Sequence, residues 1–402
     1  MTEALFEKDG KIKLFSAKVV WCEKEKNLFK IILDKTAFFP EGGGQKGDVG
    51  YILKGEKAEN DFYITNDGVT SLCKKVINVT DTQEKNGEII HFCSSPIDEG
   101  TTVTGLLNYD VRFRRMQNHT GEHIVSGLIH KHFGYDNVGF HMGSDEVTLD
   151  VNGPLSSEQV FFIEKLANFA VAENVPVTAE KFSGDILKTL DYRSKLDLVE
   201  NVRLVTVEGY DVCACCAPHV SRTGEIGIIK LLGFMNYKQG TRIRMLCGFD
   251  ALDDYNEKMA QVSASCAMLS SKQGELSENV NRVLEENKKE KQEKNILKNK
   301  IADLLLEKAK EEGKNCLFTD INDPVFMRYL ATNGSEVFGI CGVFCMVSEG
   351  SYRYVVVGKN CDMRQFAKGM NASLCGRGGG DTELIQGSVK SPASSIEEFF
   401  AK

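Results

Sequence analysis

The chain has 402 residues and a formal net charge of −8, and 42% of its residues are hydrophobic while 26% are charged. This length and composition predict a globular protein of two or three domains with substantial hydrophobic cores. No stretch of about 18 apolar residues is present, which excludes a predicted transmembrane helix. The acidic balance argues against a nonspecific nucleic-acid coat, although a local basic patch suffices to bind RNA.

Cysteine usage and the opening segment indicate where the protein works. Thirteen cysteines are scattered without a framework pattern, which is typical of reduced thiols in a large intracellular chain. The opening segment MTEALFEKDGKIKLF lacks the apolar stretch of a secretory signal. We therefore expect a cytoplasmic protein that does not associate with membranes.

The first two regions in chain order differ in their predicted elements. Residues 1–95 mix β-branched and aromatic residues with polar ones between glycine-bearing turns, as in KIKLFSAKVVWCE and DVGYILK. This pattern predicts strands that form a small β-barrel. Residues 96–248 mix helices and strands: a helix is predicted over 114–132, a second helix begins with a capping box in SSEQVFF, and EVTLDV and VRLVTV are predicted strands.

The last two regions are a spacer and a second compact part. Residues 249–312 contain no proline and use Lys, Glu and Asn heavily, with an apolar-free centre, EENKKEKQEKN. A helical hairpin or a coiled-coil spacer fits this composition, and the predicted heptad positions are Leu269, Leu276, Val283, Leu297 and Leu304. Residues 313–402 return to an α/β pattern, in which EVFGICGVFCMV and SYRYVVVGK are predicted to pair and residues 376–381 to form a glycine loop.

Two short motifs predict a metal site. His119-Thr-Gly-Glu-His123 and Cys215-Cys-Ala-Pro-His219 each carry two ligand-type side chains with i, i+4 spacing. On a helix this spacing places both side chains on one face, one turn apart. Imidazole and thiolate together suit Zn²⁺, and four such ligands close a tetrahedron. The alternative is two ordinary histidine pairs in helices or loops.

A third motif identifies a resemblance. The segment Thr36-Ala-Phe-Phe-Pro-Glu-Gly-Gly-Gly-Gln-Lys-Gly-Asp48 has the glycines of a tight turn that approaches a ligand. In order with the two dyads and the C-terminal glycine loop, it resembles the alanyl-tRNA editing proteins of the AlaX group, freestanding relatives of the editing domain of alanyl-tRNA synthetase. The resemblance implies the long form of the group, an α+β protein with four domains. These are a β-barrel at 1–95, a zinc-bearing α/β editing domain at 96–248, a long helical spacer at 249–312 and a C-terminal α/β domain at 313–402.

The resemblance also implies roles for single residues. His119, His123, Cys215 and His219 match the zinc ligands. Thr36 matches a threonine whose hydroxyl reads the serine side chain, and Gln45 matches a glutamine near the substrate. Arg242 matches an arginine on a late strand. Two further expectations come from the residues themselves: Arg112, Arg114 and Arg115 form a basic cluster for RNA phosphates, and Arg377 in the glycine loop is a further phosphate contact.

The implied activity is hydrolysis of serine from mischarged tRNA(Ala), with zinc as cofactor. A site that must hydrogen-bond a hydroxyl rejects alanine strongly, because its polar group is otherwise left unpaired. Gly-tRNA(Ala) is a second candidate substrate. Zinc either activates water or positions the tRNA 3′ end, and both roles stay open at this point. A homodimer is expected through the helical spacer or the C-terminal domain.

Two other classes of function fit parts of the sequence. His119-x-x-Glu122-His123 also matches the H-x-x-E-H motif of inverzincin metallopeptidases, in which Glu122 is the base. We expect instead that Glu122 is a solvent-exposed helix residue and not the base. A nonenzymatic, zinc-folded RNA-binding protein is the third class. Cys213 and Cys216 are competing candidates for the thiolate ligand because they flank Cys215.

Overall fold

The computed structural model describes residues 2–56, 62–65, 68–71, 76–143, 146–194, 200–359 and 361–401. The chain divides into two compact units, Met1–Gln261 and Val262–Lys402, and each is described by itself. Within the described residues, no helix is both long enough and apolar enough to cross a membrane. The predicted division into four domains stays a prediction.

The first unit is built mainly from short strands. In chain order these are Glu3–Ala4 (β1), Leu14–Glu25 (β2), Leu28–Leu33 (β3), Lys35–Thr36 (β4), Gly50–Lys54 (β5), Phe62–Thr65 (β6), Gly68–Ser71 (β7), Val76–Lys85 (β8), Glu88–Cys93 (β9), Thr102–Leu107 (β10), Asn137–Met142 (β11), Val147–Val151 (β12), Val177–Phe182 (β13), Val202–Val207 (β14), Asp211–Ala214 (β15), Ile229–Tyr237 (β16) and Gly240–Cys247 (β17). The helices are Tyr109–Phe133 (α1), Ser157–Glu173 (α2), Asp185–Thr189 (α3) and Gly248–Leu269 (α4), the last of which crosses into the second unit.

The N-terminal strands close into a six-stranded barrel, as the sequence predicts. The strand order is β10-β2-β3-β9-β8-β5. Strand β2 alternates in burial, and its inward side chains Phe15, Ala17 and Val19 are buried in the barrel core. Strand alternation of this kind places every second side chain inside. The sixth strand, β10, comes from beyond residue 95, so the barrel draws on the region that follows it in sequence.

Helix α1 is the central element of the rest of this unit. It begins at Tyr109, five residues before the predicted start, because Asn108 caps it by accepting from the backbone N–H of Val111. It ends at Gly134, which adopts the left-handed conformation of a helix C-cap. Its two internal glycines allow close packing: a Cβ at Gly121 would lie 2.3 Å from Cys247 Sγ, and one at Gly127 would lie 2.5 Å from the Tyr210 carbonyl oxygen.

Two small sheets and α2 complete the first unit. One sheet has the order β11-β12-β17-β16 and the other β13-β14-β15, and all neighbours in them are antiparallel. The predicted capping box of α2 is present, since Ser156 and Gln159 each bond to the other's backbone N–H. Side chains from α1, α2 and the four-stranded sheet form one hydrophobic core. This core holds α1 against the four-stranded sheet.

The second unit is a five-stranded sheet with helices. Its strands are Cys316–Thr319 (β18), Ile340–Ser348 (β19), Ser351–Gly358 (β20), Arg377–Gly380 (β21) and Leu384–Lys390 (β22), in the order β18-β19-β20-β22-β21. Its helices are Leu276–Glu312 (α5), Pro324–Phe338 (α6), Met363–Ser373 (α7) and Ala393–Phe400 (α8). The predicted pairing of the β19 and β20 segments is present, and the two strands are antiparallel.

One expectation for this unit is wrong in detail. The predicted glycine loop contains a strand, β21, because its backbone pairs with β22 from Arg377↔Ser388 to Gly380↔Ile385. The predicted heptad positions Leu297 and Leu304 of α5 are 59% and 65% exposed, and the hairpin or coiled-coil spacer stays a prediction. Ala302, Leu306 and Ala309 of the same helix pack into a core that includes Phe326 and Leu330 of α6.

Candidate metal centre

The structure brings the four predicted ligands together. The ligand atoms of His119, His123, Cys215 and His219 all lie within 4.8 Å of one another. Cys215 Sγ lies 3.5 Å from His119 Nε2 and 3.4 Å from His219 Nε2. Two segments about ninety residues apart in sequence therefore meet at one point.

The two dyads reach this point from different backbones. His119 and His123 lie on α1, as the sequence predicts. Cys215 and His219 lie in a loop after β15, so the predicted helical face for this dyad is wrong. The physical reason is that the loop backbone is bonded elsewhere: the Arg203 guanidinium donates to the carbonyls of Cys215 and Ala217, each at 2.9 Å. These two bonds hold the segment in its loop conformation.

Each imidazole has its second nitrogen fixed by a neighbour. His119 Nδ1 lies 2.9 Å from Gln45 Oε1, and His123 Nδ1 lies 2.9 Å from Asp211 Oδ2. His219 Nδ1 lies 3.1 Å from Thr120 Oγ1. Oxygens that accept from Nδ1–H leave each Nε2 free to bind a cation, which is the usual arrangement around metal-bound histidines. Three imidazole nitrogens and one thiolate match the donor set of zinc.

Gln45 therefore lies behind a predicted ligand and touches it. The family resemblance implies a position for Gln45 near the substrate. In the structure, Gln45 contacts His119. Sequence analysis missed Asp211 and Thr120 entirely. Their signal was present, because Asp211 precedes Cys215 by four residues and Thr120 lies inside the first dyad. A metal-bound histidine needs an acceptor for its other nitrogen, so oxygen-bearing side chains next to such motifs are candidates.

The Asp211 carboxylate is itself held in place. Arg193 Nε donates to Asp211 Oδ1 at 2.7 Å, and another guanidinium nitrogen of Arg193 donates to Ser126 Oγ. Burial alone would raise the pKa of Asp211, but hydrogen bonds and charge from His123 and Arg193 lower it. The carboxylate is thus ionised and can accept from His123. The same contact, together with the nearby Cys215, raises the pKa of His123 well above its ordinary value despite the opposing effect of burial.

The three neighbouring cysteines differ in their readiness to ionise. Burial raises the pKa of the Cys213 thiol to about 11 and that of Cys216 to about 11. Burial acts on Cys215 in the same direction, but charge from His119 and His219 lowers the pKa of Cys215 well below its ordinary value. Since the thiolate is the form that binds metal, Cys215 is favoured over Cys216. Cys213 lies within 4.8 Å of His123 and Asp211 and stays the nearer competitor.

A cavity of about 1060 Å³ opens beside these residues. Its wall includes His119, His123, Glu122, Gly44 and Phe140. Glu122 is only 3% exposed, so the expectation of a solvent-exposed helix residue is wrong. The side chain points into the first unit, because α1 is buried along nearly its whole length from Met116 to Ile129.

The glycine motif forms the tight turn that its sequence predicts. Gly42 and Gln45 exchange both backbone hydrogen bonds at 3.0 Å. Gly43 and Gly44 have φ of 59° and 83°, a conformation that fits a two-residue turn and that L side chains rarely adopt. A Cβ at Gly44 would lie 2.6 Å from the Phe140 ring. The turn therefore packs against the cavity wall and delivers Gln45 to His119.

Thr36 lies on β4, outside the six barrel strands, and is not among the described residues that line the cavity. Its side chain is fully buried, and its hydroxyl lies 2.8 Å from His91 Nε2. His91 Nδ1 lies 3.0 Å from the Ile31 carbonyl oxygen, so Nδ1 carries the proton and the Thr36 hydroxyl donates to Nε2. Contact between Thr36 and a substrate hydroxyl would require that bond to be exchanged, and the role predicted for Thr36 stays a prediction.

The predicted basic cluster is largely structural. Arg112 is 1% exposed, pairs with Asp48 and donates to the carbonyls of Gly10 and Ala37. A guanidinium buried and engaged in this way cannot reach an RNA phosphate, so the expectation for Arg112 is wrong. Arg115 donates to the Gly47 carbonyl at 2.8 Å. The two arginines thereby fasten the glycine segment to α1.

The remaining predicted arginines are more accessible. Arg114 is paired with Asp110, Asp250 and Asp253. Arg242 forms two hydrogen bonds to Asp150 and stacks 3.7 Å from the centre of the Tyr237 ring. Arg377 lies in the exposed strand β21 of the second unit. Their contacts to RNA stay predictions.

Comparison with known proteins places the chain. The family model described as "Threonyl and Alanyl tRNA synthetase second additional domain" matches residues 202–244, and "tRNA synthetases class II (A)" matches residues 6–111. The alanine–tRNA ligases of Archaeoglobus fulgidus and Methanococcus maripaludis are 29% and 27% identical, and the chain spans only 42% and 43% of their lengths. The alanyl-tRNA editing protein AlaX-L of Pyrococcus horikoshii is 31% identical over 98% of this chain and 96% of its own length. The chain therefore belongs to the family of the alanyl-tRNA editing protein AlaX-L.

Proposed function

We propose that the protein is a trans-editing hydrolase that removes serine from mischarged Ser-tRNA(Ala) by zinc-dependent hydrolysis of the aminoacyl ester. Family membership supports alanyl-tRNA editing as the activity. The observation that carries the proposal is the convergence of His119, His123, Cys215 and His219 within 4.8 Å of one another beside a cavity of about 1060 Å³.

The donor set fits zinc, and these four residues would hold it. When bound, zinc supplies Lewis-acid polarisation of a carbonyl or a water of lowered pKa. The chain's own residues prepare the site: Gln45, Asp211 and Thr120 orient the three imidazoles so that each presents one nitrogen to the centre. Four protein ligands close a tetrahedral shell, so we also propose that positioning of the tRNA 3′ end is part of the role of the metal site.

Selection for serine is the part of the proposal that rests on Thr36. A site that must hydrogen-bond a substrate hydroxyl rejects alanine and glycine far better than exclusion by size does, and Thr36 would take that role by exchanging its hydrogen bond to His91. Thr36→Val removes the hydroxyl with little change in shape. We expect it to slow hydrolysis of Ser-tRNA(Ala) or to relax discrimination against Ala-tRNA(Ala), measured by single-turnover deacylation. Unchanged rates on both would remove Thr36 from the specificity mechanism, and Gly-tRNA(Ala) in the same assay decides whether glycine is also removed.

The partner in this proposal is tRNA(Ala) carrying serine, in the cytoplasm. Free thiols support a reducing compartment, since the described cysteines form no disulfide. Arg377, Arg242 and Arg114 are the proposed phosphate contacts. A homodimer through α5 or the second unit is proposed from the exposed apolar side chains of that helix, including Val280, Leu297 and Ile301.

One observation favours a second candidate, a metallopeptidase. Glu122 is buried on the cavity wall between the two histidines of α1, where the base of an H-x-x-E-H enzyme belongs. The remaining proposed ligands are a cysteine and a histidine, whereas an inverzincin uses a carboxylate downstream. Hydrolysis of a mixed peptide library by the purified protein would support the peptidase, and the nonenzymatic RNA-binding alternative predicts retained zinc with neither activity.

The direct test is deacylation of Ser-tRNA(Ala), Gly-tRNA(Ala) and Ala-tRNA(Ala) by purified protein. We expect fast release of serine, much slower release of alanine and loss of activity after treatment with a chelator that is reversed by added zinc. No release of serine by zinc-loaded protein would overturn the proposed function.

A further inference from the structure

Glu122 is an ionisable side chain on the cavity wall, next to the proposed ligands, whose role is still open. It lies on α1 three residues after His119 and directly before His123, and it is 3% exposed. Residues three apart on a helix lie on the same face, which explains why Glu122 shares the cavity wall with His119. Its carboxylate therefore faces the space in which a substrate ester would lie.

The Glu122 carboxyl group is oriented by a hydrogen bond. Asn137 Nδ2 donates to Glu122 Oε1 at 2.8 Å. The Asn137 side chain is itself fixed, because its Oδ1 accepts from the Gly139 backbone N–H at 3.0 Å. In the part of the chain that the structure describes, no lysine, arginine or histidine lies within ion-pairing distance of Glu122. The nearby Arg193 is engaged with Asp211 and Ser126.

A buried carboxylate on a cavity wall is stabilised further when a ligand of opposite charge enters the cavity. Removing a charge from water carries a large desolvation penalty, which a partner of opposite charge offsets. An aminoacyl ester brings such a partner, since its α-amino group is protonated and lies only two bonds from the carbonyl carbon. A group that binds the ammonium must therefore lie beside the groups that act on the carbonyl, as Glu122 does.

We propose that Glu122, oriented by Asn137, binds the α-ammonium group of the aminoacyl ester and so restricts the site to substrates with a free amine. The inference rests on the proposed function, because it assigns a specificity residue to the same site. It assigns no proton transfer to Glu122. This distinguishes it from the peptidase interpretation, in which Glu122 acts on water and the amine of the substrate is irrelevant.

Two pairs of molecules test the proposal with the full-length, zinc-loaded protein. The first pair is Ser-tRNA(Ala) and its N-acetyl derivative, used for hydrolysis. The second is a non-hydrolysable amide analogue, 3′-deoxy-3′-(seryl)aminoadenosine, and its N-acetyl derivative, used for binding by calorimetry. The variants are Glu122→Gln, Asn137→Ala and the control Glu208→Gln, which removes an exposed carboxylate from the turn between β14 and β15.

The wild type and the control should prefer the free amine in both assays. Glu122→Gln should lose roughly 10- to 100-fold on the free-amine molecules, the range of one charge-assisted hydrogen bond. The loss should appear in KM and binding with little change in kcat, with the N-acetyl molecules nearly unaffected. Asn137→Ala should lose preference in the same direction but by less. Zinc content should stay at the wild-type value, which separates this effect from damage to the metal site.

Three outcomes would overturn the inference. An equal fall on free-amine and N-acetyl substrates in kcat would make Glu122 a general base. Unchanged preference in Glu122→Gln would leave it without a role in recognition, and a wild type that binds both analogues equally would have no amine site. Failure of the proposed function looks different, because the wild type would then release no serine while the binding comparison still gives its own answer.

Discussion

The two dyads of the metal centre share one spacing and differ in how the chain achieves it. His119 and His123 are placed by α1, whose backbone bonds alone set their separation. Cys215 and His219 lie in a loop whose shape depends on partners: Arg203 holds two of its carbonyls, and Thr120 accepts from the Val220 N–H at 3.3 Å. Ligand residues with i, i+4 spacing can therefore meet at one metal site from a helix or from a loop, and the spacing alone does not establish a helix. The loop dyad should be the more easily disturbed of the two.

Removing the thiolate should break the centre outright. Cys215→Ala deletes the only sulfur among the four proposed ligands and leaves three imidazoles on two separate segments. We expect the purified variant to lose nearly all zinc, measured by metal analysis after gel filtration. Cys216→Ala is the matched control and should keep zinc, because the Cys216 thiol has a raised pKa and lies outside the cluster. Full zinc in Cys215→Ala together with loss in Cys213→Ala would instead assign the thiolate to Cys213.

His91, a buried histidine outside the metal centre, can be compared with the histidines of the two dyads. His91 also has both nitrogens engaged, but its partners are a carbonyl and the Thr36 hydroxyl, with no thiolate near. Burial lowers the pKa of His91 to about 4. The folded state keeps it neutral, while the unfolded chain takes up a proton below its ordinary value of 6.5. The stability that neutral His91 supports is thus complete above pH 6.5 and is lost as the pH falls toward 4, by about 3 kcal/mol in total.

Denaturant unfolding of the zinc-loaded protein at a series of pH values measures this loss. In His91→Gln the free energy of unfolding should fall less steeply between pH 6.5 and pH 4 than in the wild type. His132→Gln, which replaces an exposed histidine at the end of α1, should keep the wild-type slope. If His91→Gln and the wild type had parallel profiles, His91 would not be neutral and buried in solution.

Loosening the loop tests the difference between the dyads itself. Arg203→Met keeps the apolar stem of the side chain and removes the donors to the Cys215 and Ala217 carbonyls. Because outer contacts of this kind tune metal affinity, we expect zinc affinity to fall roughly 10- to 100-fold, measured by competition with a chromophoric chelator. Arg222→Met, which removes a guanidinium that bonds the Asn174 carbonyl away from the centre, should change affinity little. Equal affinity for Arg203→Met and the wild type would mean that the loop keeps its shape without Arg203.

Much of this centre could be predicted from residue types and spacing, and the part that could not has a physical cause. The barrel, α1 and the capped α2 follow from local patterns of alternation, periodicity and capping, which act over a few residues. The shape of the Cys215–His219 loop depends on Arg203, twelve residues from Cys215, and on Thr120, about a hundred residues from Val220. The burial of Arg112 and Glu122 likewise depends on what packs against α1. These contacts join residues that are far apart in sequence, so no local sequence pattern predicts them.

The strand β21 makes the same point for the second unit. Its glycines predict a loop, because glycine weakens strands when considered alone. Pairing with β22 overrides that preference, since the backbone groups of Arg377–Gly380 on the side of β22 gain partners in the ladder. The predicted phosphate contact at Arg377 now rests on an exposed edge strand and not on a flexible loop.

X-ray absorption at the zinc edge tests the central claim most directly, because it counts the ligands whatever the activity turns out to be. The wild-type protein loaded with one equivalent of zinc should show one sulfur at about 2.3 Å and three nitrogens at about 2.0–2.1 Å, the usual distances for thiolate and imidazole. This result would support both dyads as ligands. A shell with two sulfurs would bring in Cys213 or Cys216, and a shell with no sulfur would contradict the assignment of the second dyad.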